Sequence, residues 1–260
     1  MRIATWNVNS IKAHFDQVTA FLKAENPDVV CLQEIKCEDH AFPTAAIEEL
    51  GYSCAVHGQK TYNGVAILSR LPMQDVQQRL PGGDDDDHAR FVSAVIEGKD
   101  LVVRVASLYL PNGNPAPGPK YDYKLAWMER LRAYAKQELK AEEAFVLAGD
   151  YNVIPAAIDA RNPKAWEQDA LFLPQTRAAF QGLLNLGLTE SWRALHPLTE
   201  GAYSFWDYQA GAWPKNNGIR IDHLLLSPQA ADRLVASHIH RDQRGHEKPS
   251  DHVPVEITLK

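Results

Sequence analysis

The feature that most constrains this chain is a regular alternation, from one end to the other, of short apolar runs with amphipathic stretches. ATWNV, DVVCLQEI, GVAILSR, FVSAVI, LVVRVASLYLP, AFVLAGDYN, IDHLLLS and VPVEITLK have the length and β-branched content of strands, several of them buried on both faces. Between them, Ile11 to Lys23, Leu125 to Leu139 and Thr176 to Leu186 place apolar residues at helical intervals, and Gly187 stops the third. Strands and helices that interleave without a linker or repeat predict an α/β fold, one domain over residues 1–260.

Composition excludes more than it assigns. Three cysteines, Cys31, Cys37 and Cys54, form no C-x-x-C pair, so free thiols in a reducing cytoplasm are expected. The N-terminal MRIATWNV alternates like a strand and is no secretion signal. Nothing approaches the roughly 20 apolar residues of a membrane span. The net charge of −6 gives no global attraction to a polyanion, so binding nucleic acid would need a local basic face. PGGDDDDHA and PNGNPAPGP read as surface loops. Asp84 to Asp87 is a solvated loop rather than a metal site, because consecutive carboxylates repel.

Polar residues recur where the predicted strands end. Asn7, Glu34, Tyr109, Asp150 and Asn152 lie at or beside such ends, and Asp222, Asp251 and His252 follow near the C-terminus. Each has an ordinary alternative: Glu34 as a helix cap, Asp150 and Asn152 as a turn. Together they hold what phosphate hydrolysis needs. Glu34 and Asp251 form the best carboxylate pair for a hard cation, with Asn7 adding an oxygen or a positioning hydrogen bond. No Cys/His set has zinc spacing, which favours Mg²⁺, with Mn²⁺ as a substitute. Asp150 can align and deprotonate a water that Asn152 helps to hold. A protonated His252, oriented by Asp222, can donate to a phosphoryl oxygen, and Tyr109 can bind phosphate or assist the leaving group.

The ordered blocks WNVNSIKA, LQEIKC, TYNGVAILSR, SLYLPNG, AGDYNV, IDARNPK, SFWDY, GIRIDHLLLS and KPSDHVP resemble the exonuclease III branch of the endonuclease/exonuclease/phosphatase superfamily, the abasic-site endonucleases. The resemblance implies a four-layered α/β sandwich, two mainly antiparallel sheets face to face with helices outside. It implies Glu34, Asn7 and Asp251 at the metal, with Asp150 and Asn152 at a second metal if two act. Tyr109, Asp150, Asn152, Asp222 and His252 take the catalytic places.

The same resemblance puts Lys12, Lys36, Tyr62 and Arg90 against DNA phosphates, with Asn112 and Asn114 in the loop after Tyr109. It makes Phe205 and Ile221 the apolar walls of a pocket for a flipped-out sugar, with Trp206 alongside or packed beneath. Two departures stand out. Ile219 replaces a tryptophan of the human relative, which predicts a smaller pocket wall, and the NGNPAPGP loop lacks the basic residue that some relatives insert into DNA. The implied activity is Mg²⁺-dependent repair of double-stranded DNA at abasic sites and blocked 3′ ends by a cytoplasmic monomer, with no membrane or obligate protein partner. A phosphatase of lipid or small-molecule esters would share Glu34, Asp150, Asn152, Asp251 and His252 but not the SFWDY and GIRIDH blocks. A DNA-binding protein with a retired site would have lost a ligand, and none is missing.

Overall fold

The computed structural model describes all 260 residues. Its strands are β1 (Arg2–Asn7), β2 (Val29–Gln33), β3 (Ser53–His57), β4 (Val65–Ser69), β5 (Met73–Gln78), β6 (Phe91–Glu97), β7 (Val102–Tyr109), β8 (Phe145–Asp150), β9 (Thr189–Glu190), β10 (Asp222–Leu226), β11 (Leu234–Ile239) and β12 (Val255–Leu259). They form two six-stranded sheets, β11-β12-β1-β2-β4-β3 and β5-β6-β7-β8-β10-β9. The helices are α1 (Phe15–Glu25), α2 (Thr44–Glu48), α3 (Pro119–Glu138), α4 (Pro174–Leu184), α5 (Ser191–Leu195) and α6 (Pro228–Ala231).

Period-two alternation sorts each central strand's side chains between two cores. In β2, Val29 and Cys31 enter the core between the sheets, while Val30 and Leu32 pack outward with Val18, Phe21 and Leu22 of α1. In β8, Val146 and Ala148 face the inter-sheet core, whereas Phe145 and Leu147 meet Trp127, Leu131 and Phe180 of α3 and α4. The result is the four-layered sandwich expected from the sequence. Both sheets are mixed: β1–β2 and β7–β8 are parallel, and the other pairings are antiparallel.

The three expected helices form with shifted ends. α1 begins at Phe15, not Ile11, because the Ile11 amide donates to the Ile35 carbonyl at 3.2 Å and Ser10 is left-handed at φ 90°. α3 begins at Pro119, ahead of Leu125, and its first turns bury Tyr121 and Lys124. The strands outside the apolar runs, β3, β5, β9 and β11, are the four sheet edges. β5, MQDVQQ, is almost wholly exposed, as edge strands tend to be.

The topology explains why polar residues gather at one end. The parallel pairs set Asn7 beside Gln33 and Tyr109 beside Asp150. β10 runs antiparallel to β8 and begins where β8 stops, with Asp222 opposite Asp150. β12 is likewise antiparallel to β1, so the Asp251–His252 turn preceding it reaches the same end. β7 and β8 approach so closely that a Cβ on Gly149 would lie 2.0 Å from the Leu108 carbonyl oxygen. We expect Gly149→Ala to cost about 3 kcal/mol of unfolding free energy in a urea titration, since only backbone movement relieves the clash. A loss well under 1 kcal/mol would mean that the strands part easily there.

Candidate active site

The strand ends surround a pocket of about 330 Å³ lined by Glu34, Tyr109, Asn112, Asn114, Asp150, Asn152, Trp166, Asp169, Leu171, Phe205, Asp207, Ile221, Asp251 and His252. Asn7 is not among these residues but bonds two of them. Its Nδ2 donates to Glu34 Oε1 at 2.8 Å and to Asp150 Oδ2 at 2.9 Å, while its Oδ1 accepts the Asn9 amide. The amide oxygen is thereby engaged, and Asn7 acts as a positioner of two carboxylates.

Glu34 follows β2 in a left-handed conformation, φ 50°, and its side chain lines the pocket. Burial would raise its carboxyl, but Lys36 at 2.9 Å and the Asn7 amide hold it below the ordinary range. Lys36, expected on DNA, is thus also the counter-charge of Glu34, and it reaches Asn9 Oδ1 as well. The turn at residues 250–252 is held from three sides. Ser250 Oγ donates to the Asn7 carbonyl at 2.8 Å, Trp6 Nε1 to the His252 carbonyl at 3.1 Å, and the Trp206 amide to the Asp251 carbonyl at 2.9 Å.

Asp150, Asp222 and His252 are buried and bring their ligand atoms within 4.8 Å of one another, close enough to share one ion or one proton. The hydrogen bonding favours the proton: His252 Nδ1 lies 2.8 Å from Asp222 Oδ2, and Nε2 lies 3.7 Å from Asp150 Oδ2. Burial alone would lower the imidazole, but Asp222 and then Asp150 reverse this and raise it well above its ordinary value. Burial raises Asp150, with Asp222 adding to the effect and His252 opposing it. The Tyr109 phenol is pushed far up by burial, then by Glu34 and Asp150, so it remains a hydrogen-bond donor. Asp222 Oδ1 is buried without a partner.

The carboxylates of Glu34 and Asp251 both face the pocket and, as hard oxygen donors, fit a divalent cation such as Mg²⁺. Asn152, left-handed at φ 48°, accepts from Asn112 Nδ2 and donates Nδ2 to the Leu110 carbonyl, which leaves one amide proton for a ligand. Phe205 packs edge-on against His252, with centroids 4.9 Å apart. Phe205 and Ile221 form an apolar wall together with Leu171 and Trp166.

Among the expected DNA contacts, Lys12 and Tyr62 are exposed. Arg90 lies over the Tyr109 ring at 4.9 Å and donates to the Tyr109 carbonyl. Asn114 braces the loop, donating to Asn112 and Asp169 and accepting from the Ala170 amide. Of the two placements expected for Trp206, the structure has the packed one: it is fully buried in the inter-sheet core and donates Nε1 to Asn216 Oδ1, which corrects its assignment to DNA because it offers no surface. Ile219 bridges to Phe205 and Ala160 and is absent from the lining, so its size does not set the pocket wall directly. Sequence reasoning missed Trp166, Asp169, Leu171 and Asp207. They sit in loops or, for Trp166, at the end of a single 3₁₀ turn (Pro163–Trp166), too short for periodicity, and only the fold brings them to the pocket.

Two packed sheets flanked by helices, with carboxylates, amides, an imidazole and a phenol at the shared strand ends, define a class of phosphoester hydrolases. The chain belongs to the endonuclease/exonuclease/phosphatase family, whose model matches residues 4–252. It is 34% identical to exodeoxyribonuclease III of Haemophilus influenzae, over the full length of both chains. Among solved structures, the 3′ phosphatase NExo from Neisseria bound to a product DNA hairpin superposes with a TM-score of 0.95 at 38% identity, covering 100% of this chain and 99% of that one. An AP endonuclease from Archaeoglobus fulgidus gives 0.93 at 35%, with the same coverage.

Because the folded His252 titrates above its unfolded value, its ion pair with Asp222 contributes full stability below the ordinary imidazole range. That contribution is lost only as pH climbs through the raised value. Asp222→Asn should bring the His252 titration down toward the ordinary range, read from its ring ¹⁵N shifts. An unmoved titration would assign the stabilisation to Asp150 instead.

Proposed function

We propose that residues 1–260 form one catalytic domain that hydrolyses phosphodiesters of double-stranded DNA on the 5′ side of abasic sites and removes blocked 3′ ends, with Mg²⁺ as cofactor. The chain is a hydrolytic DNA-repair nuclease of the exodeoxyribonuclease III and AP endonuclease type. The observation that carries the finer reading is that one pocket is lined both by Glu34, Tyr109, Asp150, Asn152, Asp251 and His252 and by an apolar cluster of Trp166, Leu171, Phe205 and Ile221. A pocket of about 330 Å³ is at the small end for ligand sites. It suits a base-free sugar against the apolar cluster with its phosphate on the polar residues.

Mg²⁺ bound by Glu34 and Asp251 would neutralise charge on the phosphoryl oxygens. Asp150, raised toward neutrality by burial, aligns the attacking water and takes its proton. The His252 imidazolium donates to a phosphoryl oxygen, held in place by Asp222. The Tyr109 phenol donates to a second oxygen, and the Asn152 amide fixes the water or the phosphate. To Lys12, Lys36, Tyr62 and Arg90 we assign contacts with backbone phosphates. We place the enzyme in the cytoplasm as a monomer. No helix is long and apolar enough to cross a membrane, and the cysteines are unpaired.

The test is a parallel assay on abasic, 3′-phosphate and recessed 3′-hydroxyl duplexes, with Mg²⁺ and with chelator. Metal-dependent cleavage 5′ to the abasic site and release of 3′-phosphate are expected; turnover of none of the three would end this reading. Asp150→Asn should lower kcat by about 10³-fold, within the range for a lost general base, while duplex affinity stays the same. Glu34→Ala should raise the Mg²⁺ concentration for half-maximal rate at least about tenfold. An unchanged titration would remove Glu34 from the metal site.

A further inference from the structure

Beneath the pocket lies a buried amine that the chemistry above does not use, its pKa pushed down to about 7 by burial. Lys124, in the first turns of α3, is fully buried. Its Nζ donates to the Asn112 carbonyl at 3.0 Å and to the Asn152 carbonyl at 2.6 Å. None of the protein's ion pairs includes it. Taking a lysine charge out of water without a carboxylate in contact is costly. A side chain serving only to fill space would be apolar.

The two carbonyls belong to different loops. One follows β7 and carries Asn112; the other follows β8 and carries Asn152. The loops also meet through the Asn112 amide and Asn152 Oδ1 at 3.3 Å. Gly113 makes room for the lysine stem: at φ +90°, a Cβ there would lie 2.6 Å from Lys124 Cδ. The same end of α3 reaches a third pocket loop, since the Tyr121 hydroxyl bonds Thr176 Oγ1, which donates to the Ala170 carbonyl.

We propose that Lys124 is a positioning residue, whose Nζ donors clamp the loops after β7 and β8 at the spacing that aims the Asn112 and Asn152 amides at the scissile phosphate. The inference rests on the phosphodiesterase reading given above. Removing the clamp lets the two loops separate beneath the pocket, where an error near 1 Å costs about 10²-fold in rate. Substrate binding, spread over the DNA surface, is affected far less.

The test uses the full-length protein with Lys124→Met, which keeps the stem and removes the charge, and Lys124→Arg, which restores a cationic donor. Thermal unfolding confirms that each is folded at assay temperature. On a 3′-phosphate duplex at saturating Mg²⁺, Lys124→Met should lower kcat about 30-fold with KM within about twofold, and Lys124→Arg should recover most of the loss. Without DNA or metal, the side-chain amide resonances of Asn112 and Asn152 should shift in Lys124→Met. Unchanged kcat and unchanged amide resonances in folded Lys124→Met would overturn the proposal, as would kcat and KM changes that merely track the folded fraction. Should Lys124→Met fail to fold, Gly113→Ala, which displaces the stem, decides by the same split, and an unaltered kcat there is fatal. A wild-type protein inactive on every duplex would refute the phosphodiesterase reading, while the amide resonances still report on the clamp.

Discussion

One side-chain amide joins the two sheets at their active end. Asn7 stands at the tip of β1 in the first sheet, and its Nδ2 donates both to Glu34, beyond β2, and to Asp150, at the end of β8 in the second. Two carboxylates facing one another across a buried gap repel unless a donor or a cation lies between them. The shared amide supplies part of that, and the Asn9 backbone fixes which way it points. Every other group at this end is placed relative to those two acids. Ser250 bonds the Asn7 carbonyl, which brings the Asp251–His252 turn into contact, and His252 then reaches across to Asp222 and Asp150.

The amide bridge stands on a layer that changes character along the strands. Midway, the space between the sheets is filled by Val29, Ile67, Val105 and Val146. One step nearer the active end it turns polar: Gln33 bonds Thr5 and Ser107, and Ser107 bonds the Leu32 carbonyl. All three side chains are fully buried and satisfied, as buried polar groups must be if they are not to destabilise the core. The acids sit directly above, far enough from solvent that burial is the leading influence on Asp150 and on His252. Burial raises Asp150 directly, whereas His252 is raised against burial by the carboxylates of Asp222 and Asp150 packed on it.

What was legible in the sequence follows from which forces leave a local trace. Central strands declare themselves because burial on both faces demands continuous apolar runs, and the polar residues interrupting those runs, Asn7, Glu34, Asp150 and Asn152, stand out against them. The edge strands leave no such trace, since half their residues face water; MQDVQQ reads as loop until β6 pairs with it. The start of α3 was hidden for a different reason. Its inward face there is Tyr121 and Lys124, and a lysine scores as solvent-exposed in any periodicity, although this one is buried on two carbonyls. Trp166 and Asp169 reach the pocket through tertiary placement of an irregular segment, which no local pattern encodes. The sequence left Trp206 open between pocket and core, and its adjacency to Phe205 decides it: neighbours in an extended segment take opposite faces, so Phe205 enters the pocket and Trp206 the core.

Charge gives the last constraint. The chain carries a net −6, and its pocket concentrates that sign: Glu34, Asp150, Asp169, Asp207 and Asp251 line it, against the one imidazolium of His252. A phosphodiester is itself an anion, so such a lining would repel it at short range, where screening by salt is weak. The pocket's own side chains cannot resolve this. Lys36 is already paired with Glu34, Arg90 is spread over Tyr109, and Lys124 is turned toward backbone carbonyls. The missing positive charge has to arrive with a ligand, and two carboxylates, Glu34 and Asp251, from the ends of strands on either side of β1 are the kind of host a hard divalent cation accepts. The acidity that argued mildly against nucleic acid in the composition thereby becomes, at the site, an argument for a metal-assisted one.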